Sequence, residues 1–506
     1  EAYDAFRLAL IMDPSNTQAT FELERLGELL KRLPDHAHDH AHDHKEGAEA
    51  EADESDTGAN AAPVLEDTGL DVIVIGAGAA GVGSAFTLTN IFGLDPTRVL
   101  LLERGEAIGH SFRLWPEEMR FISPSFNQAG WTNSFDLNSP AHGSSPAFSL
   151  HAQHPSGAQY ADYLEELAEL AQVKQRVKRR CDVLQVSPVD GRFDVHVRTT
   201  GGDGEQREET LRSRYVVWAA GEFQYPRETS DSMAGAELCM HNSRVSSWSD
   251  LPGDDFVVIG GYESGVDATF NLAKAGKRTT VLASTATWNV QNPDPSVELA
   301  PYTADRLREV TAPSFSPRPE LLAPLRVERV EKAAEGGFNV VAKWKAAEPE
   351  PTSASLRRAV VSHAGGDETA EARTRDSAEG AELVLHTPQP PVLCTGFEGS
   401  VATVARDLFE FAEEGDEAKG CLCGAAMLTE NDESTKVPGV FLVGPSVSQG
   451  GFSFCFVYKF RQRFGIVNNA ICRGLGRDTT EAVAECRRTN MYLDDLECCE
   501  GACNTC

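Results

Sequence analysis

Apolar residues fall into short runs along this chain, and one kind of run occurs twice in nearly the same form. Val72–Ile75 is four apolar residues in succession that break into Gly76, Gly78 and Gly81, after which small residues continue at helical spacing over 82–88. An uninterrupted apolar run bounded by glycine predicts a strand buried on both faces, and the stretch after it predicts a helix. The next apolar run, Val99–Leu102, closes on Glu103, 27 residues beyond Gly76. The pattern returns at 256–259, which runs into Gly260, Gly261, Ser264 and Gly265 ahead of a second helical stretch, with 279–282 as its following strand. Elsewhere, 160–171 carries Leu164, Leu167 and Leu170 on one face and predicts a helix. Strands are predicted at 183–186, 193–197, Tyr215–Trp218, within 327–344, and at 383–385, 391–393 and 439–443, and 450–464 reads as a loop entering a helix. Strands alternating with helices predict an α/β fold with parallel sheets.

The first glycine corner has the chemistry of a dinucleotide site. Gly76 suits the tight turn, Gly78 lets backbone approach a pyrophosphate, and Gly81 lets helix close on strand. The helix N-terminus then offers free N–H groups to the phosphates, and Glu103 stands where ribose hydroxyls would be met, with Arg104 beside it. The second corner is less complete. Tyr262 occupies the middle glycine position, and the strand after it runs into Ala283, Ser284 and Thr285, with neither an acid for a ribose 2′-hydroxyl nor an arginine for a 2′-phosphate.

Composition narrows the setting. A length of 506 residues predicts two to four domains, and 46 basic against 77 acidic residues give a net charge of −31, which disfavours nucleic acid and anionic membranes as partners. No apolar run approaches the roughly 20 residues that span a bilayer, and no signal peptide is visible. Ten of the twelve cysteines follow residue 390. That distribution is not the framework of a small secreted domain and predicts a reduced, cytoplasmic setting with a specialised tail.

Outside the two corners, three segments stand apart. Residues 1–33 are amphipathic and helical, and Ala2, Phe6, Ala9 and Pro14 resemble the pattern that closes a tetratricopeptide repeat, which implies further repeats upstream and a protein partner. Residues 34–69 hold eleven acids against one base and read as a disordered linker. Within it His36, His38, His40, His42 and His44 alternate with Asp and Ala, a loose metal-binding strand or a solvated spacer. Residues 346–382 read as a solvated insertion.

Taken in order, the motifs are a glycine fingerprint, a Trp-Ala-Ala-Gly strand end at 218–221, a second fingerprint, a Cys-Thr-Gly strand end at 394–396, and Phe-Leu-Val-Gly at 441–444 before a helix. This order resembles the flavin-containing monooxygenase and thioredoxin reductase superfamily over residues 70 to about 475. The resemblance implies two Rossmann-like domains, the NAD(P) domain inserted in the FAD domain: an FAD part at 70–225 and 391–480, an NAD(P) part at 226–390, and a Cys-rich tail at 481–506. It implies FAD at Gly76, Gly78, Gly81, Glu103, Arg104 and Gly444, with Trp115 beside the flavin. NADPH or NADH would then bind at Gly260, Gly261, Ser264 and Gly265. Pro445 stands where the family usually has Asp after the glycine, and His241 lies two residues later than the monooxygenase signature expects.

Cysteine pairs that disulfide reductases place against the flavin are missing from both expected regions, which favours an NAD(P)H-dependent monooxygenase-like enzyme acting on a small molecule. Two alternatives stay open. Thiol, disulfide or soft-metal redox chemistry would use Cys455 with Cys498, Cys499, Cys503 and Cys506 on the tail; Cys421 and Cys423 form another pair. A flavoprotein scaffold without nicotinamide chemistry is the other.

Overall fold

The first glycine corner lies at the centre of a five-stranded parallel sheet in the computed structural model, which describes residues 69–126, 135–288, 299–345, 379–412, 425–450 and 452–496. The repeat-like segment, the histidine-bearing linker, most of the insertion, Cys421, Cys423 and the four tail cysteines lie outside the described residues. β1 (Val72–Ile75) is flanked by β2 (Val99–Leu102) and β7 (Tyr215–Trp218); β3 (Val177–Lys178) and β20 (Val440–Leu442) extend the two sides, giving the order β3-β2-β1-β7-β20. All four residues of β1 are buried, as an apolar run in a sheet covered on both faces must be.

The first helix packed on this sheet is built largely of small residues. α1 (Ala79–Phe86) is almost wholly buried, and a Cβ at its Gly83 would lie 2.5 Å from Cε2 of Phe464, which the last long helix presents to it. Asn468 of that helix donates to the Ser84 carbonyl at 2.9 Å. α1 passes directly into a π turn, Thr87–Ile91, where the sequence pattern predicts regular helix to Leu88. On the other flank α2 (Gly157–Leu170) starts with a reciprocal capping box between Ser156 and Gln159.

A second parallel sheet has the order β12-β11-β10-β16-β9. Its strands are β9 (Met240–His241), β10 (Asp255–Ile259), β11 (Arg278–Leu282), β12 (Glu320–Leu322) and β16 (Val392–Leu393). The strands fall between β7 and β20 in the chain, so the second unit is inserted into the first. α3 (Glu263–Lys274) follows β10, and α4 (Pro301–Thr311) packs beside it. The chain passes between the units along β8 (Tyr225–Pro226) and β17 (Phe397–Glu398), an antiparallel pair.

Antiparallel sheets complete the molecule. β4 (Cys181–Val189), β5 (Arg192–Thr200) and β6 (Gln206–Ser213) form one, and β13 (Leu325–Lys332), β14 (Phe338–Trp344) and β15 (Glu382–Thr387) another. β6 has no counterpart among the predicted strands. Its outer half is polar and exposed, and pairing with β5 from Gln206 through Ser213 holds it in place. A short hairpin, β18 (Glu410–Phe411) with β19 (Ala426–Met427), precedes β20. The last two helices are α5 (Val457–Gly474) and α6 (Thr480–Arg488). Among the described residues no helix is long and apolar enough to cross a membrane.

Candidate functional site: two glycine corners

At the first corner Gly76 and Gly81 have distinct geometric reasons to be glycine. Gly76 has φ +108°, and a Cβ there would lie 2.5 Å from the Ala219 carbonyl oxygen. A Cβ at Gly81 would lie 2.0 Å from the Gly76 carbonyl oxygen, so this position sets how closely α1 approaches the turn. Gly78 is different: it caps α1 with ordinary φ −86°, and a Cβ there would have no neighbour within 4 Å. The corner is therefore closed where it packs against protein and open where a ligand would come.

Glu103 completes this corner. Its Oε2 accepts from the Ala77 N–H at 3.0 Å and its Oε1 from the Gly105 N–H at 2.7 Å. Two backbone bonds orient the carboxylate at the rim of the turn and leave further lone pairs, since an ionised carboxylate has about four acceptor positions. Gly444 also reaches the corner, with φ +108° and Ala80 Cβ 3.1 Å from where its own Cβ would stand. The residues present fit an adenine dinucleotide: a glycine-lined turn, a helix N-terminus and a positioned acid.

The second corner repeats the backbone and changes the side chains. Gly260 has φ +109°, and a Cβ on Gly265 would lie 1.9 Å from the Gly260 carbonyl oxygen. Tyr262 caps α3 with φ −97° and ψ −163°, close to the φ −86° and ψ −165° of Gly78. Its side chain is 41% exposed. The segment after β11 folds back over the turn: Thr287 Oγ1 donates to the Gly261 carbonyl, and a Cβ on Gly261 would lie 2.8 Å from Cζ3 of Trp288.

Glu263, the first residue of α3, accepts from the Ala300 N–H at 2.6 Å and from the Thr303 hydroxyl, so the start of α4 is tied to the start of α3 through one carboxylate. Burial pushes its carboxyl above the ordinary range, and those hydrogen bonds offset only part of the effect. Behind it Asp267 receives Arg306 Nη1 at 2.6 Å, and that guanidinium lies between the Phe270 and Tyr302 rings, 4.2 and 5.2 Å from their centroids.

The remaining predicted site residues are distributed between hinge and core. Arg104 lies over the Tyr225 ring at 5.3 Å and donates to Gln224 Oε1 at 2.7 Å, so it joins the end of β2 to the start of β8. Trp115 packs with Phe112 and Phe121 at 5.3 and 5.1 Å between ring centroids, within the cluster that includes buried Tyr160. His241 is fully buried at the hinge: Nε2 donates to the Gly396 carbonyl at 3.0 Å, and Nδ1 accepts from the Ser243 hydroxyl and N–H. Burial holds its pKa below the ordinary value, and both acceptor bonds to Nδ1 require the neutral ring.

Three residues that bear on the site were not singled out by sequence pattern. Glu222, four residues past the end of β7, accepts from the Ser446 hydroxyl beside Gly444; an acid directly after a strand-end glycine was a visible signal. Glu118 accepts from the Trp248 and Ser249 N–H groups, each at 3.1 Å, and from Ser247 Oγ at 2.9 Å, joining the Trp115 segment to the inserted unit. Burial raises its pKa, and the Ser249 and Trp248 N–H groups reverse that to a net lowering. Trp288 carried no signal, because only the return of its segment brings it to Gly261.

The described thiols are mostly inert. Burial pushes Cys239 and Cys486 up to about 12 and Cys472 to about 11, and raises Cys181 and Cys394 as well, so none of these offers a thiolate near neutral pH. Cys455 is exposed, two residues before α5 begins. Among the described residues no disulfide forms, and no group of His, Cys, Asp or Glu could hold a metal ion.

Known proteins share this architecture. The chain is similar in fold to a bacillithiol disulfide reductase of Bacillus cereus, with TM-score 0.55 and 18% identity over 80% of this chain and 99% of that one. It is similar to an ornithine N-hydroxylase of Kutzneria sp. 744, with TM-score 0.56 and 15% identity over 80% and 99%. An L-lysine 6-monooxygenase of Pseudomonas syringae is comparable, with TM-score 0.52 and 16% identity over 80% and 100%. At these identities the likeness is one of fold. Residues 73–345, more than half the chain, match the profile of the pyridine nucleotide-disulphide oxidoreductases. With both glycine corners inside or bordering that span, the chain belongs to the pyridine nucleotide-disulphide oxidoreductase family.

Proposed function

We propose that the protein is an FAD-dependent oxidoreductase that holds the cofactor at the first corner and oxidises a small molecule by monooxygenase-like, oxygen-directed chemistry. The open space at Gly78, beside a carboxylate already oriented by Ala77 and Gly105, carries the assignment of the cofactor site. Bound there, FAD would supply two-electron redox chemistry. The chain's own contribution is position. Gly76 and Gly81 hold α1 against the turn so that its N-terminus would meet phosphate; Glu103 would receive ribose hydroxyls; Gly444 lets the last strand end close by.

Oxygen-directed chemistry is preferred to disulfide reduction because the described residues bring no two thiols together and five of their six cysteines are buried or half-buried. A thiol or soft-metal reading keeps one supporting observation, the exposed Cys455 just ahead of α5, where a helix N-terminus favours a thiolate. Purified protein should be yellow with one FAD per chain, and oxygen uptake with its substrate should be unaffected by deleting 498–506. Electron transfer to a dithiol probe that disappears with that deletion would favour the thiol reading instead. A folded protein that is colourless and refuses FAD would remove both.

A further inference from the structure

The second corner keeps the backbone of a dinucleotide site and fills it with the chain's own side chains. We infer that this unit does not take a nicotinamide dinucleotide.

Each recognition feature of the first corner has lost its counterpart. The position that must let a pyrophosphate approach bare backbone is Gly78 in one and Tyr262 in the other, at matching φ and ψ, so the second corner carries a side chain where the first has bare backbone with open space around it. The turn itself is covered. Trp288 packs on Gly261, and Thr287 fastens the same segment to the Gly261 carbonyl. The first turn of α3 already carries a carboxylate, Glu263, engaged by Ala300 and Thr303; a pyrophosphate would meet a like charge there instead of free N–H groups. No acid follows β11: the chain continues Ala283, Ser284, Thr285, whereas β2 ends at Glu103.

The inserted unit then serves as a wall: Glu118 holds it by Trp248 and Ser249, and Tyr302 stacks on His154 with centroids 3.9 Å apart.

The test uses the full chain carrying FAD. NADPH and NADH are titrated separately, anaerobically, while the flavin band and the heat of binding are followed. Neither nucleotide should bleach the flavin or give saturable heat, and neither should drive oxygen uptake above background. Bleaching or saturable binding by either would overturn the inference. The triple variant Tyr262→Gly, Glu263→Asn, Trp288→Ala opens the corner and should tighten binding of one nucleotide by at least about tenfold. If that variant stays folded and yellow yet binds neither, the side chains named are not what excludes the dinucleotide, and the inference fails. Calorimetry needs no flavin, so a colourless protein would defeat the flavin reading while the second corner was still judged on its own heat.

Discussion

The two corners of this protein differ at the positions that face outward and agree at those that face protein. Gly76 and Gly260 share φ within a degree, and Gly81 and Gly265 each leave no room for a Cβ against the turn carbonyl, at 2.0 and 1.9 Å. Those four glycines are required for strand, turn and helix to close, whatever is bound. Gly78 and Tyr262 share a backbone conformation that any residue can adopt, and there the corners diverge, as they do at Glu263, at the Trp288 cover and at the missing acid after β11. The fold of a dinucleotide unit and its ligand are thus set by different residues of the same motif, and a chain can keep one while losing the other.

Substitutions at matched positions of the two corners separate closure of the fold from binding of a ligand. The largest effect is expected from Gly81→Val, which forces side-chain atoms into the Gly76 carbonyl. Loss of stability beyond about 4 kcal/mol, read by denaturant unfolding together with absence of bound flavin, is the expected outcome. Gly265→Val should match it in stability, since its geometry is the same; tolerance of either would show that the corner can open without cost.

Gly78→Tyr copies the second corner into the first. The chain should fold with nearly unchanged Tm, because φ is −86° and the space is open, while FAD retention falls by about a hundredfold or more. Retained flavin in this variant would erase the distinction between the corners.

Glu103→Ala leaves the Ala77 and Gly105 N–H groups without their acceptor. Such a loss costs about 1–3 kcal/mol where the donor stays buried, and weaker FAD binding in equilibrium dialysis should accompany it.

The smallest effect concerns pH and belongs to the second corner. Burial raises the Glu263 carboxyl in the folded chain above its ordinary value of 4.5. Between those two values the unfolded chain has released a proton that the folded chain retains, so stability falls as pH rises through that window and then levels. Glu263→Gln should flatten this slope and leave the protein slightly more stable at neutral pH, measured as Tm against pH. A steeper slope in the variant would mean that the carboxylate stabilises the start of α4 more than its burial costs.

Much of the framework was legible because short apolar runs have few alternatives. The bounds of β1, β2 and β7 follow directly from where apolar residues stop, and the turn at Gly76 and the close packing at Gly81 follow from their spacing. β6 was not legible, since a strand that is half polar and exposed has no periodic signature of its own. Arg104 and Trp115 read as cofactor neighbours from adjacency to Glu103 and from aromatic content. Their protein partners, Tyr225 at the hinge for Arg104 and the Phe112 and Phe121 cluster for Trp115, were not legible, because a side chain's partner depends on what the remaining elements bring to it.

Local sequence was enough to show that two strand-turn-helix corners exist and that only the first has all three glycines and a trailing acid, while the insertion of one unit in the other came from the family resemblance. Tertiary structure alone decided what covers each corner. Trp288 reaches Gly261 only because the segment after β11 turns back. Arg461 and Arg463, which a helix pattern would leave in water, are buried: Arg463 forms a bidentate pair with Asp432 at 2.8 Å, and Arg461 donates to the Ser139 carbonyl at 2.7 Å and to the Phe135 carbonyl at 3.1 Å. The physical reason is the range of the interactions. Strand burial and turn geometry are written in neighbouring residues, whereas a buried charge or an occluded crevice depends on partners brought in from distant chain, 31 residues away for Arg463 and Asp432 and 326 for Arg461 and Phe135.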